Sequence, residues 1–317
     1  MEHRKVMPVL IAILAAACAV LVVLIVTVYR RQNYIPDDTV GSIVSLLDSE
    51  DIGIDEGLIE KKKSTGTVYV CSPEEYDRTI AVLLSQSEVE TSYLTPGGEI
   101  IITESGSLIS FEGDFKIRYE KYRNDESLRG EVVGEIPRDS EAWNDAAAAA
   151  VDFIARGSRD FGNEENVILE TEVMSVEITE AGEYVVKCIR TIDGTEISRN
   201  NLTCRVSDGE VTEMTGRWGF LTTGSTYSGE LIDVTSVLFT ARKDIMAVLE
   251  KQASGDGSEE ITKPARVEIV SIERCYSMYT NGDGTELYLV PCWKLVTDRA
   301  GSFIYNAIDG AYVTNNN

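Results

Sequence analysis

An uninterrupted apolar run near the start of the chain, residues 9–29, most constrains what this sequence can fold into. Its 21 residues carry no charge, and only Thr27 and Tyr29 bring a polar group. At about 1.5 Å of rise per residue, a helix of this length crosses a hydrocarbon layer of roughly 30 Å. A cleaved signal sequence is the alternative, but its apolar core is shorter. The run therefore predicts an uncleaved transmembrane helix that acts as a signal anchor.

The residues around this helix predict its orientation. Arg4 and Lys5 precede it and a pair of arginines follows it, so the count of positive charges on the two sides is nearly balanced. A short N-terminal tail and a large acidic body favour export of the body, because acidic residues hinder translocation little. We therefore expect a single-pass protein of the cell membrane whose residues 32–317 are extracytoplasmic.

Small residues share one face of the predicted helix. Their spacing of three or four residues would let a second membrane helix approach closely. The alternative is that alanine is simply common in membrane anchors. The candidate partner face consists of Ala12, Ala15, Ala16 and Ala19.

The chain is strongly acidic and nearly lacks histidine. A formal charge of −24 repels phosphate backbones, so we expect no nucleic-acid partner. The single histidine, His3, precedes the apolar run, so the body cannot form a Ser-His-Asp triad or a histidine-ligated zinc site. Carboxylate pairs remain, but the acids are scattered and mark no pair. We expect no enzyme activity, no catalytic residues, no cofactor and no metal site.

Two cysteines near the C-terminus form a candidate disulfide. If residues 283–284 form a two-residue hairpin turn, Cys275 lies directly opposite Cys292 on the neighbouring strand. The alternative is that both are reduced packing residues. Cys188 and Cys204 could pair in the same way, but the turns between them leave their register open.

Segments with helical and strand periodicity follow one another in three groups. The first contains a helix capped by Asp37 or Asp38, a second helix after Ser72, and a strand meander. The other two each contain one helix, capped by Asp139 or Ser140 and by Asp233, followed by strands. We predict an α+β fold, with an N-terminal transmembrane helix followed by repeated helix-plus-antiparallel-sheet modules. The predicted boundaries are 1–31 for the tail and anchor, 32–138 and 139–228 for two modules, and 229–317 for a third that repeats the second.

Residues 287–295 read Leu-Tyr-Leu-Val-Pro-Cys-Trp-Lys-Leu, and Phe-Ile-Tyr-Asn-Ala follows at 303–307 before an Asp-Gly pair. This stretch resembles the C-terminal signature of the YycH and YycI regulatory proteins of Gram-positive bacteria, in which a Pro-x-Trp strand precedes an aromatic-Asn-Ala strand and an Asp-Gly turn. The likeness is clear over residues 265–313 and loose over 140–220. The matching residues are Pro291, Trp293, Asn306, Asp309 and Gly310.

The resemblance implies a membrane-anchored accessory regulator of a two-component sensor histidine kinase, with no catalysis of its own. Its partners would be the membrane, the kinase or a sister anchored protein. The alternative function is an extracytoplasmic module that binds a peptide or a cell-wall glycan. Tyrosine, of which the chain has 14, favours such binding surfaces but also fills strands routinely.

Overall fold

The computed structural model divides into two compact units. The smaller comprises Met1–Gly66, Ser228–Glu273 and Cys292–Asn317, and the larger comprises Thr67–Tyr227 and Arg274–Pro291. The residues described are 17–29, 32–73, 77–113, 115–121, 130–157, 169–219, 221–254, 266–280 and 287–313.

Strands predominate over helices in the described part of the chain. Residues 17–29 are helical, and a short 3-10 helix spans Glu56–Leu58. The other helices are α1 Asp37–Ser49, α2 Asp77–Ser85, α3 Glu141–Arg156 and α4 Val234–Ser254. The strands are β1 Ile52–Ile54, β2 Thr65–Pro73, β3 Val89–Thr95, β4 Gly98–Thr103, β5 Leu108–Glu112, β6 Lys116–Glu120, β7 Val132–Glu135, β8 Leu169–Thr179, β9 Tyr184–Ile192, β10 Thr195–Ser207, β11 Glu210–Arg217, β12 Leu221–Glu230, β13 Val267–Thr280, β14 Leu287–Thr297 and β15 Ser302–Asn306.

An antiparallel sheet in the order β7-β8-β9-β10-β11-β6-β5-β4-β3 forms most of the larger unit. Two of its hairpins turn at Asp-Gly pairs. In the β10–β11 hairpin, Asp208 and Gly209 have φ values of 52° and 75°, and Ser207 faces Glu210 directly. Positive φ at both central residues defines the type I′ turn, which Asp-Gly sequences favour because its twist matches that of the strands.

Helices α2 and α3 cover one face of this sheet. Ile80 of α2 and Phe153 of α3 are both buried in the same core. Phe153 packs against Tyr119 of β6, with ring centroids 4.8 Å apart. Full burial of such side chains stabilises the fold by about 1.5–3 kcal/mol each. The Ser140 hydroxyl caps α3 by accepting a 3.2 Å hydrogen bond from the Trp143 amide, which confirms one of the two predicted caps.

The smaller unit has its own core between α1, α4 and short strand pairings. Strand β1 pairs in parallel with the start of β13, and β14 pairs antiparallel with β15. Asp233 caps α4 as predicted, since its Oδ1 accepts a 2.9 Å hydrogen bond from the Ser236 amide. The predicted cap of α1 is wrong: Pro36 occupies the N-cap position and no side chain caps the helix. Leu47, Val237, Ile245 and Tyr305 are fully buried here.

The predicted fold class is wrong. Strands from different predicted modules pair with one another, so the chain does not form separate, repeated helix-plus-sheet modules. Strand β6, predicted in the first module, pairs with β11, predicted in the second, from Glu120 opposite Glu213 to Lys116 opposite Arg217. A meander has edge strands whose backbone N–H and C=O groups are unpaired on one side. When two such edges pair, these groups form hydrogen bonds with each other. Period-two patterning shows which residues share a face of a strand, but it does not show which strands become neighbours.

The predicted transmembrane helix is also wrong. Across the described ranges, no helix has both the length and the apolar character that crossing a membrane requires. Residues 9–16 of the predicted span lie outside those ranges. The described part of the predicted span, residues 17–29, is helical. The finding contradicts the signal anchor and the single-pass membrane localisation with an extracytoplasmic body.

Candidate ligand-binding site

Residues that the sequence singled out as a helix partner face are mostly outside the described chain. Ala12, Ala15 and Ala16 lie there, whereas Ala19 is exposed in the helical residues 17–29. The partner face therefore stays a prediction.

The five signature residues near the C-terminus have structural contacts. Trp293 is buried, and its Nε1 donates a 3.1 Å hydrogen bond to a backbone carbonyl. The side-chain oxygens of Asn306 and Asp309 each accept a hydrogen bond from the amide two residues later, at 2.8 and 2.9 Å. Gly310 has a φ of 76°, which suits a turn, and Pro291 is buried in β14. These contacts support the local backbone.

The cysteines are buried. Cys275 and Cys292 are each 1% exposed, and the turn predicted between them lies outside the described residues, so their disulfide stays a prediction. Cys188 and Cys204 are free thiols on adjacent strands, and the register places Leu202 rather than Cys204 opposite Cys188. The hydrogen bond with Cys188, followed by burial, raises the pKa of Cys204.

A polar pocket lies at one end of the sheet in the larger unit. Its volume is about 270 Å³. Five elements form it: the C-terminal ends of α2 and α3, the β4–β5 turn, the end of β6 and the start of β11. Its lining residues are Leu84, Ser85, Gln86, Ser105, Ser107, Tyr119, Lys121, Ala149, Asp152, Phe153, Arg156, Gly209, Glu210 and Val211.

Local geometry explains how charged groups reach this pocket. The type I′ turn ends at Glu210, which begins β11. Lys121 directly follows β6, and its amide donates a 2.9 Å hydrogen bond to the carbonyl of Thr212. This backbone bond brings the side chains of Lys121 and Glu210 together, and they form an ion pair. Asp152 and Arg156 lie one helical turn apart in α3, so they share a face of the helix.

The charged side chains of the pocket differ in whether they have a partner of opposite charge. The hydrogen bond from Lys121, helped by its charge and by that of Arg156, lowers the pKa of Glu210 and keeps it ionised. Arg156 lies over the Phe153 ring, 5.6 Å from its centroid, and makes no ion pair with any residue of the described ranges. Its guanidinium is therefore available to an anionic group in the pocket.

Hydroxyl groups form the wall opposite α3. Thr103 Oγ1 lies 2.9 Å from Ser105 Oγ, which lies 3.3 Å from Ser107 Oγ. The Ser105 amide also donates a 3.0 Å hydrogen bond to the Ser87 hydroxyl. Because hydroxyls both donate and accept, this wall can bind polar ligand groups of either kind.

No signal in the sequence pointed to this pocket. Its charged residues Lys121, Asp152, Arg156 and Glu210 are spread over three segments, and no spacing along the chain links these segments. The sequence did not show that the strand beginning at Glu210 lies beside β6.

Comparison with known proteins assigns no family to this chain. No protein-family model matches the chain, and no curated protein matches it. A solved structure that it resembles is that of an uncharacterized protein from Eubacterium rectale ATCC 33656, with a TM-score of 0.48 and 13% identity. The match covers 83% of this chain and 90% of that one.

Proposed function

We propose that this chain is a non-enzymatic binding protein whose pocket in the larger unit takes a free amino acid or the end of a peptide. The observation that carries the proposal is the arrangement of two cations, Lys121 and Arg156, and two carboxylates, Asp152 and Glu210, around one small cavity. A zwitterion carries one carboxylate and one ammonium group, and this pocket offers partners for both.

The size of the pocket suits such a ligand. Its 270 Å³ corresponds to about nine water molecules at roughly 30 Å³ each. Drug-sized ligands occupy clefts of about 300–1,000 Å³, so the pocket is suited to a smaller molecule. Buried Tyr119 and Phe153 give its inner wall apolar character beside the charged rim.

The residue types at the pocket support binding as its proposed role. The lining contains no histidine, and no cluster of three or more possible metal-binding side chains occurs among the residues that the structure describes. The pKa of Glu210 is lowered, whereas a carboxyl group that acts as a general acid needs a raised pKa. These side chains can bind the charged groups of a ligand, which is what ligand recognition requires.

The accessory-regulator function implied by the resemblance to YycH and YycI stays a prediction, as do the kinase and sister-protein partners. It is compatible with a ligand pocket, because a regulator can report the presence of a small molecule. The pocket proposal does not depend on it.

The experiment is a thermal-unfolding screen of the full chain against the twenty free amino acids and dipeptides with free ends. We expect at least one of them to raise the melting temperature. The same compounds with acetylated amines and amidated carboxyls serve as matched controls, and we expect no shift from them because they lack both charges. If no free amino acid or dipeptide shifts the melting temperature, the proposal is wrong.

Two arginine variants then test the site. Arg156→Gln removes the unpaired guanidinium, and we expect it to weaken binding of the active compound at least tenfold, about 1.4 kcal/mol. Arg118→Gln is the control, since Arg118 pairs with Glu120 on β6 and does not line the pocket. Equal affinity of wild type and Arg156→Gln would place the ligand elsewhere.

A further inference from the structure

The side chain of Arg190 in β9 is buried within the larger unit, with only 3% of its surface exposed. Its guanidinium carbon lies over the ring of Trp218, 5.1 Å from the ring centroid. Arginine is almost never fully buried unless it is paired. The stacking on Trp218 supplies part of the compensation, as a cation–π contact.

Hydrogen bonding at this site is incomplete. Nε and Nη1 of Arg190 and Nε1 of Trp218 are all buried, and none has an acceptor in the described part of the chain. Buried donors are paired in the large majority of cases. A planar guanidinium stacked on an indole therefore presents three donor nitrogens that need an acceptor.

The charge of Arg190 is also uncompensated by the described side chains. Burial lowers its pKa to about 10, so it remains charged at neutral pH. The neighbouring ionisable group is the Cys71 thiol, whose pKa is raised to about 11, chiefly by burial. That thiol is neutral at pH 7 and cannot act as a counter-ion. A buried charge left alone costs several kcal/mol, so a counter-charge would stabilise the fold.

We propose that Arg190 and Trp218 bind a small monovalent anion, such as chloride, inside the larger unit. One guanidinium balances one negative charge, whereas a dianion would leave an excess charge in an apolar surrounding. Three donor nitrogens and no carboxylate partner match the requirements of an anion rather than a cation. The site shares no residue with the pocket of the proposed function, so each can fail without the other.

The test measures thermal unfolding of the full chain as gluconate is replaced by chloride, and separately by bromide, at constant ionic strength. We expect the melting temperature to rise and saturate, by about 3 °C in total, because an anion bound only to the folded chain stabilises it. An unchanged melting temperature across the replacement overturns the proposal.

Variants assign the effect to this site. Trp218→Phe keeps the aromatic ring and removes one donor, so we expect the chloride concentration at half-effect to rise about tenfold. Arg190→Met removes the charge, and we expect it to lose the chloride response. Replacement of a buried charge by an apolar side chain of similar size is often tolerated. Arg118→Gln, at an exposed arginine, should respond like wild type.

A crystal of the full chain grown in bromide gives an independent readout. We expect an anomalous scattering peak within hydrogen-bond distance of Arg190. Electron density for water alone at that position overturns the proposal. If Arg190→Met does not fold, Trp218→Phe decides the matter, and a wild-type chloride response in that variant also contradicts it.

Discussion

The hydroxyl of Tyr305 donates a 2.8 Å hydrogen bond to Oδ2 of Asp244, which joins β15 to α4 in the smaller unit. Tyr305 is 0% exposed, so water cannot replace this bond. Burial, and then the interaction with Asp244, raises the pKa of Tyr305 and keeps its hydroxyl protonated as the donor. We expect Tyr305→Phe to lower the free energy of unfolding by about 2 kcal/mol, measured by urea denaturation.

The control for this prediction is Tyr93→Phe. Tyr93 is 55% exposed on β3, and its hydroxyl makes no hydrogen bond with the described residues. We expect its removal to change the free energy of unfolding by less than about 0.5 kcal/mol. Equal effects of the two substitutions would mean that the hydrogen bond to Asp244 does not stabilise the fold.

The N-cap of α4 predicts a pH-dependent stability. Burial by itself would raise the pKa of Asp233, but hydrogen bonds from Thr235 and Ser236 outweigh it, and its pKa is lowered overall. The charged carboxylate therefore stabilises the folded chain. Its contribution is complete above the unfolded-state pKa of about 3.9 and is lost as the pH falls through the lower folded-state value.

We expect Asp233→Ala to lower the free energy of unfolding by about 1 kcal/mol at neutral pH, and by progressively less below about pH 4. Asp233→Asn is the matched variant, because it keeps a capping oxygen and loses the titrating charge. Urea denaturation at several pH values would measure both. A cost of Asp233→Ala that stays constant down to about pH 2 would contradict the role of the charge.

Local signals in the sequence predicted local structure well. The serine cap of α3 and the Asp233 cap of α4 each depend on neighbouring residues, and each occurs in the structure. Sequence patterns could not predict that β6 pairs with β11. Roughly ninety residues separate the two strands, and each could have paired with any other exposed strand edge. The charged pocket depends on that pairing, so it was also beyond prediction.

The burial of Arg190 shows a second limit of prediction from the sequence. It follows Cys188 by two residues in β9, so the period of two correctly places both on one face. A charged residue near a strand end is normally assumed to reach water. Only the stacking of Trp218, from a distant part of the chain, shows that it does not.

Gly41 in the middle of α1 gives a stabilising prediction. A Cβ atom added there would meet nothing within 4 Å, and the residue is helical. We expect Gly41→Ala to raise the free energy of unfolding by about 0.5–1 kcal/mol, because alanine has less backbone freedom to lose than glycine. The contrast is Gly209→Ala, which also has open space but a φ of 75°. Gly209→Ala should lower the free energy of unfolding by about 1 kcal/mol. If thermal unfolding showed that both substitutions stabilise the chain, or that both destabilise it, the role of the backbone angle would be contradicted.

Gly216 of β11 lies directly opposite Leu202 of β10. Its φ is 150°, and an added Cβ would lie 2.2 Å from the carbonyl oxygen of Asn201, which is backbone and cannot rotate away. We expect Gly216→Ala to lower the free energy of unfolding by about 3 kcal/mol, through the clash and the strained backbone together. Gly134→Ala is the control, because Gly134 in β7 has open space and no positive φ. The β10–β11 pairing also positions Glu210, so Gly216→Ala should weaken ligand binding at the pocket. An unchanged free energy of unfolding in Gly216→Ala would show that the two strands can separate without cost.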